Sequence, residues 1–334
     1  MRHITVLLLL LTLLTATALM ASAFGSVRIP VADVLGAVAR WPFQGEPVGT
    51  IGVVLFHIRL PRIVAAMLVG ASLAAAGAAY QSLFRNPLVS PDILGVSTGA
   101  GLGAVSGILL GLPVAGIQAL GFGGGLATVA LVMLLARSLR GGGDVLVLVL
   151  AGIVVGAITG AAISLVKVLA DPYDQLPAIT FWLLGSLAGV KSQDVAATLP
   201  LVLLGLAPLI LLRWRIGVLA LGDDDARALG VDVGRTRAIV IAAASLVTAS
   251  VVAISGVVGW VGLMVPHMAR LLVGPRFDRL LPASILLGAA FLVAVDTLAR
   301  SATRIEIPLG VLTAVIGGPV FVWLLARDRR RRLP

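Results

Sequence analysis

Few side chains in this chain are equipped for chemistry, and their spacing excludes more than it allows. The three histidines, His3, His57 and His267, fall in separate segments, with no His-Glu-x-x-His pattern and no paired acids at metal-ligand spacing. His267 follows Pro266 and lies between Met264 and Met268, a setting that suits a satisfied helix-end histidine better than a haem ligand. The absence of cysteine removes thiol nucleophiles, thiolate metal sites and disulfides. A phosphate-gripping loop needs Gly-Lys followed by Ser or Thr. The two lysines fail that test, because Lys191-Ser192 follows Val190 and Lys167 precedes Val168. No catalytic residue, metal ligand or cofactor site is expected, and any ATP must be hydrolysed by another chain. Asp296 is the one acid inside an apolar run where a secondary transporter would bind protons or sodium. Arg300 stands four residues later, so a helical i,i+4 ion pair is the plainer account of it.

A second group of polar residues forms an island of charge from Gly222 to Arg237. Asp223 or Asp224 can cap a short helix, and Gly230 can end it in the left-handed conformation. Ala226 and Leu229 give that helix small and apolar positions, and a second short turn near Asp232 leads towards the next apolar run. A capped element of this kind is more structured than a solvated loop requires.

The elements that carry these residues are membrane helices. Of the 334 residues, 59% are hydrophobic and only 12% charged, against roughly 25% charged in soluble domains. At about 20 residues per crossing, ten helices are expected: Ile4–Phe24, Pro61–Leu83, Ile93–Leu112, Val114–Ala136, Val145–Leu169, Val195–Leu212, Ala238–Val257, Val258–Val273, Leu280–Ala299 and Pro308–Ala326. Leu176–Val190, interrupted by Gly185 and Gly189, suits an interfacial or re-entrant piece. No linker separates a second unit, so residues 1–334 are read as one all-α polytopic domain. Arg2-His3, the Leu-rich run and Ala21-Ser22-Ala23 resemble a signal peptide, but the apolar stretch exceeds the usual core of about 7 to 15 residues, and an uncleaved first helix is expected. With ten crossings, one side receives only Arg28, Arg40, Arg59, Arg62, Lys167, Lys191, Arg300 and Arg304 of the 25 Lys and Arg residues. By the positive-inside rule both termini are cytoplasmic. The net charge of +10 thus reflects topology rather than nucleic-acid binding. Glycines at 95, 99, 103, 107 and 111, and again at 152, 156 and 160, recur every four residues and predict closely packed helices.

Several blocks, taken in order, carry a family resemblance. They are Arg59-Leu60-Pro61-Arg62, Gly77 to Tyr80 leading to Asn86-Pro87-Leu88, Pro91 to Ser97, and Phe181-Trp182 with Gly185-Ser186. Gly259 to Leu263 with Val265-Pro266-His267, Ala294 to Arg300, Glu306 to Gly310 and Gly317-Gly318-Pro319 follow. Together they resemble the FecCD-type permeases, membrane subunits of bacterial ABC importers for iron-siderophores, haem and cobalamin. The resemblance spans nearly the whole chain and is weakest in the first helix and from Gly25 to Phe56.

The resemblance implies a type II importer permease in the bacterial cytoplasmic (inner) membrane, paired with a second copy or a paralogous permease. Two ATPase subunits, which bind ATP and Mg, would lie below it, and a periplasmic or lipid-anchored substrate-binding protein above. Molybdate is a further cargo within the resemblance. It implies coupling helices at about 221–237, with Gly222, Asp223, Asp224, Ala226, Leu229 and Gly230 carrying the contact, Ala226 and Leu229 foremost. Arg59, Arg62 and Arg300 match positions that dock acidic residues of the binding protein. Residues expected along the translocation path are Gly152, Gly156, Gly160, Leu309 and Thr313. An ion-coupled secondary transporter without an ATPase is the competing function.

Overall fold

The computed structural model describes residues 2–25, 28–44, 49–139, 145–303 and 305–332. Arg304, used above in assigning orientation, lies outside them. Among the described residues there are helices and no strands. The chain begins with α1 (Arg2–Ala23) and α2 (Val31–Gln44). Next, α3 (Gly49–Val53) passes through a π-helical turn, Val54–Arg59, into α4 (Leu60–Leu83). A 3-10 turn at Pro91–Leu94 precedes α5 (Val96–Leu109). It is followed by α6 (Val114–Ser138), α7 (Val145–Leu169), α8 (Gln175–Leu184), α9 (Ser192–Leu211) and α10 (Arg213–Leu219). The remaining helices are α11 (Asp223–Ala228), α12 (Val233–Ser255), α13 (Val261–Val273), α14 (Phe277–Ser301) and α15 (Leu309–Arg332).

Seven helical stretches are long and apolar enough to cross a membrane: α1, the continuous Gly49–Leu83 rod, α6, α7, α9, α12 and α14. The other three expected spans, at α5, α13 and the apolar part of α15 (Leu309–Leu324), are helical but shorter. The expected re-entrant piece is the ten-residue α8.

The expected loop from Gly25 to Phe56 instead contains α2 and the start of the rod. Val31, Val34, Leu35 and Val38 recur at helical spacing, with Asp33 among them and Arg40 just after. That pattern makes a short amphipathic helix, whereas a search for spans finds only runs near 20 residues. Val34 of α2 packs with Ala23, Ile29 and Leu55. The second turn expected near Asp232 is absent as a separate element, because Asp232 directly caps the long α12 by accepting a hydrogen bond from the Arg235 amide at 3.0 Å.

The rod, α12 and α14 form the buried centre, while α1, α7 and α9 are mostly exposed on the outside of the bundle. Their crossings depend on absent side chains. A Cβ at Gly77 would lie 1.9 Å from the Gly262 carbonyl oxygen on α13, and one at Gly70 would lie 2.1 Å from that of Gly288 on α14. The Gly99–Gly103–Gly107 stripe plays the same part between α5 and α6, where a Cβ at Gly103 would meet the Leu120 carbonyl oxygen at 2.0 Å. Gly95 and Gly111 lie at the ends of α5 rather than on its packing stripe. In lipid, where apolar surface alone does not drive helices together, such backbone proximity supplies the van der Waals contact.

Candidate functional site

The polar residues gather at the two ends of the bundle. At one end, α11 starts from Gly222 with Asp223, Asp224 and Asp225 in its first turn, where carboxylates meet the positive end of the helix dipole. None of the three caps it through a side chain, since the N-cap is Gly222 itself. The helix closes in a Schellman motif: the Val231 amide donates to the Ala226 carbonyl and the Gly230 amide to the Arg227 carbonyl, both at 2.9 Å. Gly230 provides the required positive φ of 78°. Arg237 of α12 donates to both carboxylate oxygens of Asp223 at 3.0 Å, fixing α11 against the next helix. Asp224 pairs with Arg227 at 2.9 Å in the open.

The two foremost expected contacts part company here. Leu229 is 54% exposed, whereas Ala226 is fully buried in the chain's own core. Ala226 therefore seats α11 on the bundle and is not presented to another protein. Its small apolar side chain suits either face, so its type could not reveal the direction. Leu221, 65% exposed, joins Leu229 as a second apolar residue at this surface. Beside it lies a cavity of about 580 Å³ lined by Arg213, Trp214, Leu221 and Arg276.

At the other end, Arg62 is the hub. Its guanidinium meets Asp296 at 2.9 Å and also grips Glu306 through two parallel bonds of 2.9 Å each. The expected Asp296–Arg300 pair is present at 3.6 Å, but it is the longer of the two contacts that Asp296 makes. Asp296 is 1% exposed, and without these cations a carboxylate there would be an uncompensated buried charge. Arg59 donates to the carbonyls of Ser22 and Ala23, and Arg300 to that of Ala21. These are carbonyls of the last turn of α1, which no further helical amide can satisfy and which attract cations. The small side chains of Ala21, Ser22 and Ala23 let the guanidinium groups approach.

The three arginines were expected on an open docking surface, and the structure instead turns them inward. Arg59 and Arg62 are only 4% and 9% exposed, because α1, α14 and Glu306 supply the acceptors that each guanidinium needs. They still line a cavity of about 750 Å³ together with Arg28, Thr303 and Glu306. Arg28, which sequence reasoning did not single out, is exposed and lines the same cavity. Its only signal in the sequence was its place on the side poor in positive charge.

The expected path residues also divide. A Cβ at Gly152 would lie 2.2 Å from the Ile93 carbonyl oxygen, so this glycine is a helix-packing contact. Leu309 and Thr313 are 1% and 0% exposed, and the Leu309 amide donates to the Gly185 carbonyl at 2.9 Å. All three residues are thus packed inside the chain. Gly156 and Gly160 face emptier space: the nearest atom to a Cβ at Gly156 is the Thr98 hydroxyl at 4.0 Å, and nothing lies within 4 Å at Gly160. His267 sits within α13 rather than at its end, edge-on to Phe321 at 6.3 Å.

Comparison with known proteins gives a consistent result. The model of the FecCD transport family matches residues 8–327. The cobalamin import system permease protein BtuC of Halobacterium salinarum is 45% identical over 292 residues, covering 87% of this chain and 78% of that protein. The Fe(3+) dicitrate transport system permease protein FecD of Escherichia coli is 44% identical over 280 residues, 83% of this chain and 86% of that one. The molybdate import system permease protein MolB of Haemophilus influenzae is 39% identical over 277 residues, 83% and 82% of the two chains. A solved structure of a metal-chelate type ABC transporter in an inward-facing conformation superposes with a TM-score of 0.87 at 36% identity, covering 97% of this chain and 99% of that one.

Proposed function

This chain belongs to the FecCD transport family, and from that premise we propose that it is the permease through which an ATP-driven importer carries a metal chelate inward across the bacterial cytoplasmic membrane. As a member of that family it is a transport subunit and not an enzyme, with ATP hydrolysis on a separate subunit. In our reading residues 1–334 form one permease unit of ten crossings, made by α1, the rod, α5, α6, α7, α9, α12, α13, α14 and α15. Both termini are cytoplasmic. The charge asymmetry supports this orientation, which places α11 inside the cell and the Arg62 cluster outside.

The exposed α11 at the end opposite the Arg62 cluster carries the proposal. Arg62 and Ser82 lie twenty residues apart on α4, about 30 Å along its axis, and Ser82 lines the same cavity as Leu221. One face therefore presents a structured apolar contact for an ATPase, and the far face a basic cavity for the acidic residues of a binding protein at Arg59, Arg62 and Arg300. The working assembly is two permease chains, identical or paralogous, two ATPases that hold ATP and Mg, and one periplasmic or lipid-anchored binding protein. The permease itself holds no cofactor.

The cargo class is a metal chelate, with an iron-siderophore first and haem, cobalamin and molybdate behind it. FecD of Escherichia coli is named for ferric dicitrate, BtuC of Halobacterium salinarum for cobalamin and MolB of Haemophilus influenzae for molybdate. An ion-coupled transporter fits less well. Its candidate acid, Asp296, is engaged by Arg62 and Arg300 and is not placed to exchange a proton or sodium during a cycle. Lys167 lies at the end of α7, where its side chain can snorkel to the interface.

Affinity purification of the tagged chain from mild detergent tests the assembly. An ATPase subunit should be retained in about equal amounts and held more weakly when Leu229 is replaced by Asp. Recovery of a stable permease with no ATPase under every gentle condition would count against the proposal.

A further inference from the structure

The bidentate bond between Glu306 and Arg62 bears on how the outer cavity works. A planar guanidinium offers two edges for a two-point carboxylate contact: Asp296 holds the Nε/Nη2 edge of Arg62, and Glu306 occupies the Nη1/Nη2 edge through both of its oxygens. A partner's carboxylate would use the same edge, so the two cannot be held there together. Asp296 takes the remaining side of Arg62 and is itself buried. Glu306 differs in that its side chain is 37% exposed, against 2% for Asp296, and lines the cavity. It can leave without stranding a charge away from water. Among the described residues, Arg28, Arg59, Arg62 and Arg300 line the cavity with one acid, Glu306, and Asp296 lies buried against Arg62. The surplus of positive charge survives the pairing and rises further when Glu306 withdraws.

We propose that Glu306 is an exchangeable internal occupant of Arg62, displaced when an acidic side chain of the binding protein enters the cavity. The inference rests on the docking role proposed above for this face. Glu306 then acts as a competitor built into the permease. It keeps Arg62 neutralised between encounters and lowers the affinity for the binding protein, so that the partner is released after delivering its cargo. Arg28, exposed at the rim, steers the incoming acid without sharing in the buried network.

The test measures association of the purified binding protein encoded with this permease, titrated against the permease–ATPase complex in nanodiscs at low and at physiological salt. Glu306→Gln keeps the side chain's length and removes its charge. It should tighten association by roughly tenfold and steepen the salt dependence. Glu306→Asp, too short to keep both bonds, should give an intermediate gain and replaces Glu306→Gln as the test if that variant does not accumulate. Arg28→Glu should weaken association by roughly tenfold with the complex intact. Weakening by Arg28→Glu without any tightening by either Glu306 variant would overturn the exchange and leave docking at this face standing. If neither Arg28→Glu nor the Glu306 variants change association, docking at this cavity fails and the exchange fails with it.

Discussion

Replacing Leu229 with Asp will uncouple the importer. ATP-dependent uptake by the reconstituted complex is expected to fall roughly tenfold or more, as when an apolar anchor worth about 2 kcal/mol is lost from an interface. The permease itself should fold and insert normally, since Leu229 is 54% exposed and exposed substitutions generally change stability by about 0.5 kcal/mol or less. Ala226 provides the contrast. It lies three residues away on the same short helix but is fully buried in the bundle. Ala226→Asp should therefore abolish accumulation of the chain rather than its coupling. Two measurements, uptake per folded complex and the amount of folded complex, separate the outcomes. Normal coupled uptake by the Leu229→Asp complex would remove α11 from the transmission path.

Asp296→Ala is the second substitution with a large expected effect, and it acts on stability. Asp296 is 1% exposed and compensates parts of two arginines, Arg62 at 2.9 Å and Arg300 at 3.6 Å. Removing one member of a buried ion pair commonly destabilises by about 3–5 kcal/mol, because the remaining charge is left unpaired. Thermal unfolding of the detergent-solubilised chain should show this as a large drop in midpoint. The double change Arg62→Met with Asp296→Leu should recover most of the loss, as replacing a buried pair by apolar residues of similar size often does. Glu306 tolerates the loss of Arg62 because its side chain is partly open to water. An Asp296→Ala chain as stable as the parent would show that the network does not hold α4 to α14.

The sequence announced some of these features and concealed others for physical reasons. Long apolar runs revealed most of the helices, because in lipid the backbone must satisfy its own hydrogen bonds and needs about 20 residues to cross. The island from Gly222 to Arg237 was legible because three consecutive acids and a glycine stand out in an apolar chain. What sequence spacing shows is local. It pairs Asp296 with Arg300 at one helical turn, while the shorter contact is with Arg62, 234 positions away. Glu306 was legible as part of a motif but not as the partner of Arg62, for the same reason. The every-fourth glycines between α5 and α6 advertise themselves, whereas Gly77 against Gly262 and Gly70 against Gly288 become visible only when two distant helices are aligned. The amphipathic α2 escapes a reading by apolar length, because polar positions interrupt its 14 residues. Leu309 and Thr313, expected along the path, are packed inside the chain, and their apolar or small side chains gave no sign of which way they point.

The central claim is that this chain moves its cargo only when a separate ATPase drives it. The most direct measurement is uptake into proteoliposomes, with ferric siderophore, haem, cobalamin and molybdate each offered as cargo. Uptake of one of them should appear only when the permease, its ATPase and the binding protein are all present and ATP is hydrolysed, and a proton or sodium gradient alone should give none. Gradient-driven uptake by the permease chain without an ATPase would contradict it.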